Sequence, residues 1–510
     1  MKADIVIDGK RRLGRINRQI YGHFIEHFHR CIYGGISDPS SKFSDERGFR
    51  TDIIEALKKI RTPMLRWPGG CYADGYHWKN GVGQKDRRPT TFDYAWDQEE
   101  TNQFGTDEFI NFCRAIGAEP YINVNVGTGT AEEAAQWVEY CNRKGRSCYA
   151  KLREENGYSE PHNVMYWGVG NEIYGDWEIG GPMTGAEYAK IFKEFAKLMK
   201  RVDPNIKLIA VGNGRDPQFN FDFLKTAGFL TDYISIHSYS YRLESLPDYY
   251  GAVASPTYAE KNLINLIHTI NLAKVASQWE KRIEISFDEW NAWGWSHYRE
   301  GNYGPWGKWT RMEENDLNHQ YTLREAIHTA RFLNIFHRYC EYVTMANYSP
   351  VVNVRGAIYV HPDGIVLRPS YHVFDLYVNH SGEISLETQV HSETYDAKRA
   401  ILRYGTPIEL KNIPYLDSSA TLSETRGKLY LSTVNLHKDQ DVECRIKIFN
   451  IDVGREAIIR ELNGADVTAF NDVNHPDSVK ITSKNITECG REFSHVFPAH
   501  SVTVMEMEAR

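Results

Sequence analysis

Long apolar runs are missing from this chain. Nothing in its 510 residues is apolar for long enough to span a bilayer as a helix, so no membrane-spanning helix is expected. The opening Met-Lys-Ala-Asp-Ile-Val-Ile-Asp has no apolar stretch of signal-peptide length. Basic runs are missing too. The net charge is −7, from 60 Lys and Arg against 67 Asp and Glu spread along the chain, so neither nucleic acid nor an anionic membrane is expected as a partner. Cysteine is sparse: positions 31, 71, 113, 141, 148, 340, 444 and 489 contain no CxxC pair and no framework spacing. They read as small buried hydrophobes in a reducing compartment, and the expected location is the cytoplasm.

Several catalytic signatures are also absent. No HExxH occurs, and His23, His27 and His29 have no standard ligand spacing, so no metal is expected. Gly168-Val-Gly170 lacks the third glycine of a dinucleotide fingerprint, and Glu172 would face the pyrophosphate, so no cofactor is expected. The absence of G-x-S-x-G removes the α/β-hydrolases.

What the chain has in quantity is aromatic side chains: 31 Tyr, 12 Trp and 22 Phe. On polar loops such residues stack on sugar rings, although most fill cores. From residue 15 to 380, β-rich runs alternate with helical stretches, the pattern of an α/β fold. Eight strands are expected: Ile20–Glu26, Met64–Trp67, Pro120–Val126, Val164–Val169, Ile206–Val211, Tyr233–His237, Ile283–Phe287 and Tyr342–Ala346. Eight strands interleaved with helices predict a (β/α)8 TIM barrel. Thr184 and Glu187 form a capping box for a helix whose apolar face carries Tyr188, Ile191, Phe192, Phe195, Leu198, Met199 and Val202. It should stop at Asp203-Pro204, and a second helix is expected around Leu323–Phe336.

From 381 to 510 the period changes to two. Val442, Cys444, Ile446 and Ile448 alternate with Glu443, Arg445 and Lys447, which predicts strands with one wet face. Leu429–Leu436 and Ser501–Met507 look similar. A C-terminal antiparallel β-sandwich is expected, joined by a strand from residues 1–14.

In a TIM barrel the active site lies where the strands end. Glu172 closes the fourth strand, in Tyr166-Trp-Gly-Val-Gly-Asn-Glu172, and Glu289 closes the seventh, in Ile283-Glu-Ile-Ser-Phe-Asp-Glu289. Strands four and seven face each other across a barrel mouth. Two carboxyl groups about 5–5.5 Å apart cleave a glycosidic bond with retention, one protonating the leaving group and the other attacking the anomeric carbon. A single Glu after a strand is usually a solvated loop carboxylate; two such residues, each beside Asn and aromatics, favour the catalytic reading. Asn171 is placed to bond a sugar hydroxyl next to the reacting carbon. The Trp290–Trp309 segment, with Trp293, Trp295, Tyr298, Tyr303, Trp306 and Trp309, would rim the pocket as a loop and stack on sugars.

Trp-Gly-Val-Gly-Asn171-Glu172 and Ser-Phe-Asp-Glu289-Trp-Asn resemble the acid/base and nucleophile motifs of glycoside hydrolase family 51. Tyr21-Gly-His-Phe-Ile-Glu26-His is similar to that family's first-strand segment, whose Glu holds sugar hydroxyls. Leu65-Arg66-Trp-Pro-Gly-Gly70 resembles the second, whose Arg supports the nucleophile, and Gly81-Val-Gly, Trp96 and Glu100-Thr-Asn the long loop after it. Asp232-Tyr-Ile-Ser-Ile-His237-Ser-Tyr239 resembles the sixth strand, whose His and Tyr stand beside the nucleophile. The resemblance implies α-L-arabinofuranosidase activity on arabinose-containing oligosaccharides, no metal, and a homo-oligomer, often a hexamer. Chemically, Arg66 would pair with Glu289 through two prongs and keep it ionised, and Tyr239 would donate to the same carboxylate.

The chain departs from the family pattern twice. Cys71 follows Gly69-Gly70 where the family presents an Asn to the sugar, and is expected to line the glycone site as a passive wall. Pro350 stands where members carry a sugar-binding Gln. Competing readings are an endo-β-glucanase or xylanase of the same family, a non-catalytic sugar-binding barrel, and a metal-dependent hydrolase.

Overall fold

The computed structural model describes residues 1–296, 298–300, 307–403 and 406–509. Eight parallel strands close a barrel: Gly22–Phe24, Met64–Trp67, Glu119–Val124, Tyr166–Val169, Lys207–Val211, Tyr233–Tyr241, Glu284–Trp293 and Val343–Tyr348. All eight expected strands are present, with two differences at the ends. The first is only three residues long, because Arg18–Tyr21 turns as a 3-10 helix and Glu26 lies beyond the ladder. The sixth and seventh run on past the rim as a paired ribbon, with Trp293 opposite Tyr241.

The helices explain how the strand ends are held. The helix Gly185–Val202 starts at the Thr184–Glu187 capping box and ends at Asp203, before Pro204. Tyr188, Phe192, Phe195 and Met199 are buried, whereas Leu198 at the stripe's edge is exposed. The Tyr188 hydroxyl donates to the Val169 carbonyl at 2.6 Å and accepts from the Val211 amide at 3.0 Å. One side chain therefore ties the ends of strands four and five. The helix Leu323–Arg338 precedes strand eight, as expected.

The N-terminal strand Lys2–Arg15 and eight later strands form one nine-stranded sheet. Its core carries Ile5, Ile7, Leu386, Leu431, Ile446, Ile459 and Met505. The pairing is mostly antiparallel. However, Lys2–Arg15 runs parallel to Val442–Phe449 while running antiparallel to Ile384–Ser392. Val442–Phe449 alternates buried and wet, as its sequence requires. Leu416–Ser423 and Lys428–Asn435 do not, because their polar face meets the helix Leu323–Arg338. There the buried Asp417 takes Arg331 at 3.2 Å and Arg338 at 2.9 Å. Among the described residues, no helix is long and apolar enough to cross a membrane.

Candidate active site

Glu172 and Glu289 meet across the mouth. One carboxylate oxygen of each and one ring nitrogen of His237 all lie within 4.8 Å of one another. Glycine makes this approach feasible. A Cβ on Gly70 would sit 2.5 Å from Glu289 Oε1, and one on Gly69 would sit 2.4 Å from Glu26 Cγ.

Glu289 accepts from Arg66 Nη1 at 2.6 Å and from the Tyr239 hydroxyl at 2.7 Å. The expected two-pronged pair does not form. Arg66 instead divides its donors, giving Nη2 to Asn171 Oδ1 at 2.9 Å and leaving Nε 3.6 Å from Asp288. Burial works against the Arg66 charge, but Asp288, Tyr121 and Glu289 outweigh it and push its pKa up. Burial and the Glu289 charge raise Tyr239 well above the usual phenol range, so its proton stays in place.

Glu172 is held differently. Its φ is +38°, a strained value for a residue with a side chain. Oε1 accepts from His237 Nδ1 at 2.8 Å and the Tyr174 hydroxyl at 3.3 Å, and Oε2 from Trp177 Nε1 at 3.0 Å. Burial pushes Glu172 up, yet the hydrogen bond and charge of His237, with Trp177 and Tyr174, bring its pKa below the usual value. Burial disfavours the imidazolium. Glu289, Asp288 and Glu172 overcome that and raise His237 well above its ordinary range.

Glu26 forms no ion pair among the described residues. Its Oε1 accepts from the Tyr72 amide at 3.0 Å and Trp96 Nε1 at 3.1 Å. Burial and the Glu289 charge push its pKa up to about 8. Asn171 is buried, with Nδ2 donating to Glu178 Oε1 at 3.1 Å. The half-buried Cys71 points its Sγ at the same Glu178 oxygen, at 2.8 Å. Its thiol pKa is raised by burial and then by the charges of Glu178, Glu26 and Glu172.

Trp293 was expected on a loop and ends the strand Glu284–Trp293 instead. Because strand seven continues past Glu289, Trp293 packs edge-on against Tyr241 and near Tyr321, at 4.9 and 6.1 Å, in a separate buried cluster. Trp295 and Trp309 instead join Trp96, at 4.9 and 5.6 Å, close to Glu26. Tyr303 and Trp306 lie outside the described residues. The three early histidines keep separate company: His27 bonds Glu100 and Trp67, His23 packs on Phe374, and His29 stands near Asp316.

Sequence reasoning missed Asp288, Glu178 and Trp177. Strict alternation would turn Asp288 away from Glu289, but the register of strand seven slips between Ser286 and Glu289, and both face inward. Asp288 takes the Tyr121 hydroxyl at 2.7 Å and His237 Nε2 at 3.1 Å. Glu178 is 1% exposed and its Oε2 has no partner among the described residues. Its carboxyl is raised well above the usual range by burial and then by Glu172 and Asp74. The only sequence signal for it was a Trp and a Glu within six residues of a catalytic-type Glu.

Two family profiles match, described as the α-L-arabinofuranosidase 1 domain over residues 56–253 and the α-L-arabinofuranosidase C-terminal domain over 288–501. The chain is 37% identical to a probable α-L-arabinofuranosidase C of Aspergillus clavatus, covering 99% of this chain and 97% of that one. It is 32% identical to an intracellular exo-α-(1→5)-L-arabinofuranosidase of Halalkalibacterium halodurans, covering 88% of each. The solved α-L-arabinofuranosidase of Thermotoga maritima, in complex with arabinose, is 43% identical over 99% of both chains, with a TM-score of 0.89. The fold, the facing carboxylates and these relatives agree: the chain belongs to the α-L-arabinofuranosidases of glycoside hydrolase family 51.

Proposed function

We propose that Glu289 is the nucleophile and Glu172 the acid/base of a retaining α-L-arabinofuranosidase that releases terminal arabinofuranosyl units from arabinan or arabinoxylan fragments. The observation that carries this reading is the approach of Glu172 and Glu289 oxygens to within 4.8 Å, which leaves no room for the water that inversion requires. Glu289 attacks the anomeric carbon while the glycosidic bond breaks, and the departing oxygen takes a proton from Glu172. That proton is held in the 2.8 Å hydrogen bond between His237 Nδ1 and Glu172 Oε1, where transfer leaves a neutral acid beside a neutral imidazole. Once Glu289 is esterified its charge is gone, and Glu172 then takes a proton from the water that attacks the same carbon. Glu26 and Asn171 hold sugar hydroxyls, and Cys71 closes the wall behind them.

The leaving group departs past Trp177, which is 45% exposed beside Glu172. The reading extends to a cytoplasmic homo-oligomer. All eight cysteines are free, which suits a reducing compartment, and oligomerisation rests on the family resemblance. Proton NMR of the first product formed from 4-nitrophenyl α-L-arabinofuranoside tests the chemistry. The α-anomer is expected first; an initial β-anomer, or faster release from β-xylosides and β-glucosides, overturns the proposal. Light scattering at micromolar concentration tests the assembly, and a monomer mass overturns that part.

A further inference from the structure

A buried arginine close to the nucleophile has no hydrogen-bond or ion-pair partner for its side chain among the described residues. Arg355 follows strand eight and is 5% exposed. Its guanidinium carbon lies 5.0 Å from the Tyr239 ring centre, 5.6 Å from Trp295 and 5.9 Å from Phe28. Among the described residues no carboxylate pairs with it and no group accepts a hydrogen bond from its side chain; Nε is enclosed with no acceptor at all. A guanidinium removed from water without acceptors is costly, so its retention needs a cause.

The turn that presents it is strained and clamped. Asn353 and Val354 have φ of +53° and +44°, and for a β-branched residue that is an outlier. Asn353 Nδ2 donates to the Arg30 carbonyl at 2.7 Å, and its Oδ1 accepts from the Val360 amide at 2.8 Å. Arg368 Nη1 donates to the carbonyls of Val354 and Gly356 at 3.0 and 2.9 Å. Asn291, two residues past Glu289, donates to the Arg355 carbonyl at 2.9 Å. Strain held this firmly is characteristic of ligand-binding turns. The clamp also fixes Arg355 to the strand that carries Glu289.

We propose that Arg355 is a substrate-binding and specificity-determining residue whose guanidinium donates to hydroxyl oxygens of the furanosyl ring in the glycone site. The inference rests on the reading of Glu289 as nucleophile. The Tyr239 ring beneath the guanidinium reaches Glu289 with its hydroxyl at 2.7 Å. On the other flank Phe28 stacks on Trp96 at 5.2 Å, and Trp96 donates to Glu26. Arg355 therefore belongs to the wall that runs from Glu26 to Glu289. Three aromatic faces already offset its charge. The Glu289 carboxylate across Tyr239 would repel a second anion, so the acceptors are neutral. The fork of a guanidinium matches two neighbouring hydroxyls, a job that proline at 350 has no side-chain donor to do.

The test is kcat/KM of the full chain, as wild type, Arg355→Met and Arg355→Lys, on 4-nitrophenyl α-L-arabinofuranoside and its 2-, 3- and 5-deoxy analogues. Arg355→Met should lose about 100-fold on the parent sugar. On each analogue that lacks a contacted hydroxyl, the gap between mutant and wild type should shrink at least about threefold. Arg355→Lys should recover part of the loss. A change below threefold on the parent, or an equal loss on all three analogues, overturns the proposal, since a purely structural role would be blind to which hydroxyl is missing. If Arg355→Met does not fold by circular dichroism, the Arg355→Lys panel decides by whether its loss depends on which hydroxyl is missing, and an equal loss on all three analogues overturns the proposal. Wild-type turnover of the parent sugar is read separately, so its failure would count against the proposed function and not against Arg355 alone.

Discussion

On strand seven, Glu289 is held by a guanidinium and a phenol. Across the mouth, Glu172 is held by an imidazole, an indole and a phenol. The donors on the first side keep their protons, since Arg66 and Tyr239 are both pushed further up. On the second side, His237 can hand a proton over, and it touches three carboxylates at 2.8, 3.1 and 3.7 Å. A nucleophile needs an environment that does not change. An acid/base needs one that does, because the same carboxyl must be acid in one step and base in the next. On the proposed assignment of Glu289 and Glu172, the mouth supplies each on its own side.

The comparison breaks most severely at the constant side. Glu289→Ala should lower kcat on every substrate by about 10⁵-fold, because no covalent intermediate can form. Residual turnover above about one per cent in a folded variant would remove Glu289 from the role. On the exchanging side the loss should depend on the substrate. Glu172→Ala should cost about 10²–10⁴-fold on natural linkages. A nitrophenyl leaving group needs little protonation, so its first step should survive, and azide should restore turnover as the glycosyl azide. No azide product would mean that Glu172 is not the acid/base.

Glu26 sharpens the comparison by pH. Its pKa of about 8 means that it is neutral below pH 8 and charges above it, adding repulsion to Glu289 at the place where sugar hydroxyls are held. KM should therefore rise as pH passes about 8. In Glu26→Gln, KM should be higher at neutral pH but flat through that window, and an unchanged alkaline rise would assign it to another group. The smallest effect belongs to Glu178→Gln. With its carboxyl raised well above the usual range, Glu178 offers Oε1 to Asn171 and Cys71, and glutamine keeps that oxygen. Less than about fivefold change in kcat/KM is expected. A larger loss with unchanged KM would give Glu178 a part in the chemistry.

The same contrast decides what could be read from sequence. Glu172 and Glu289 were legible because each closes an apolar run, and a barrel puts such residues at its mouth. The helix Gly185–Val202 was legible from its capping box and its 3.6-residue stripe. Asp288 was hidden by a register slip that no period-two pattern records. Trp293 was placed on a loop because nothing in Glu289-Trp-Asn-Ala-Trp293 signals whether the strand stops or continues. Arg355 was hidden by a turn in which Val354 takes a left-handed φ that its own type disfavours. Local pattern reveals what regular structure positions; it does not reveal what tertiary clamps force into place.

The central claim, that Glu289 bonds covalently to the sugar while Glu172 stays free, is tested most directly by trapping. Incubation with a 2-deoxy-2-fluoro-α-L-arabinofuranosyl donor bearing a good leaving group, followed by peptide mass spectrometry, locates the sugar. The account predicts one label per chain, on the peptide that contains Glu289 and on that side chain by fragmentation, released when a sugar acceptor is added. A label on Glu172, or none despite time-dependent inactivation, would contradict it.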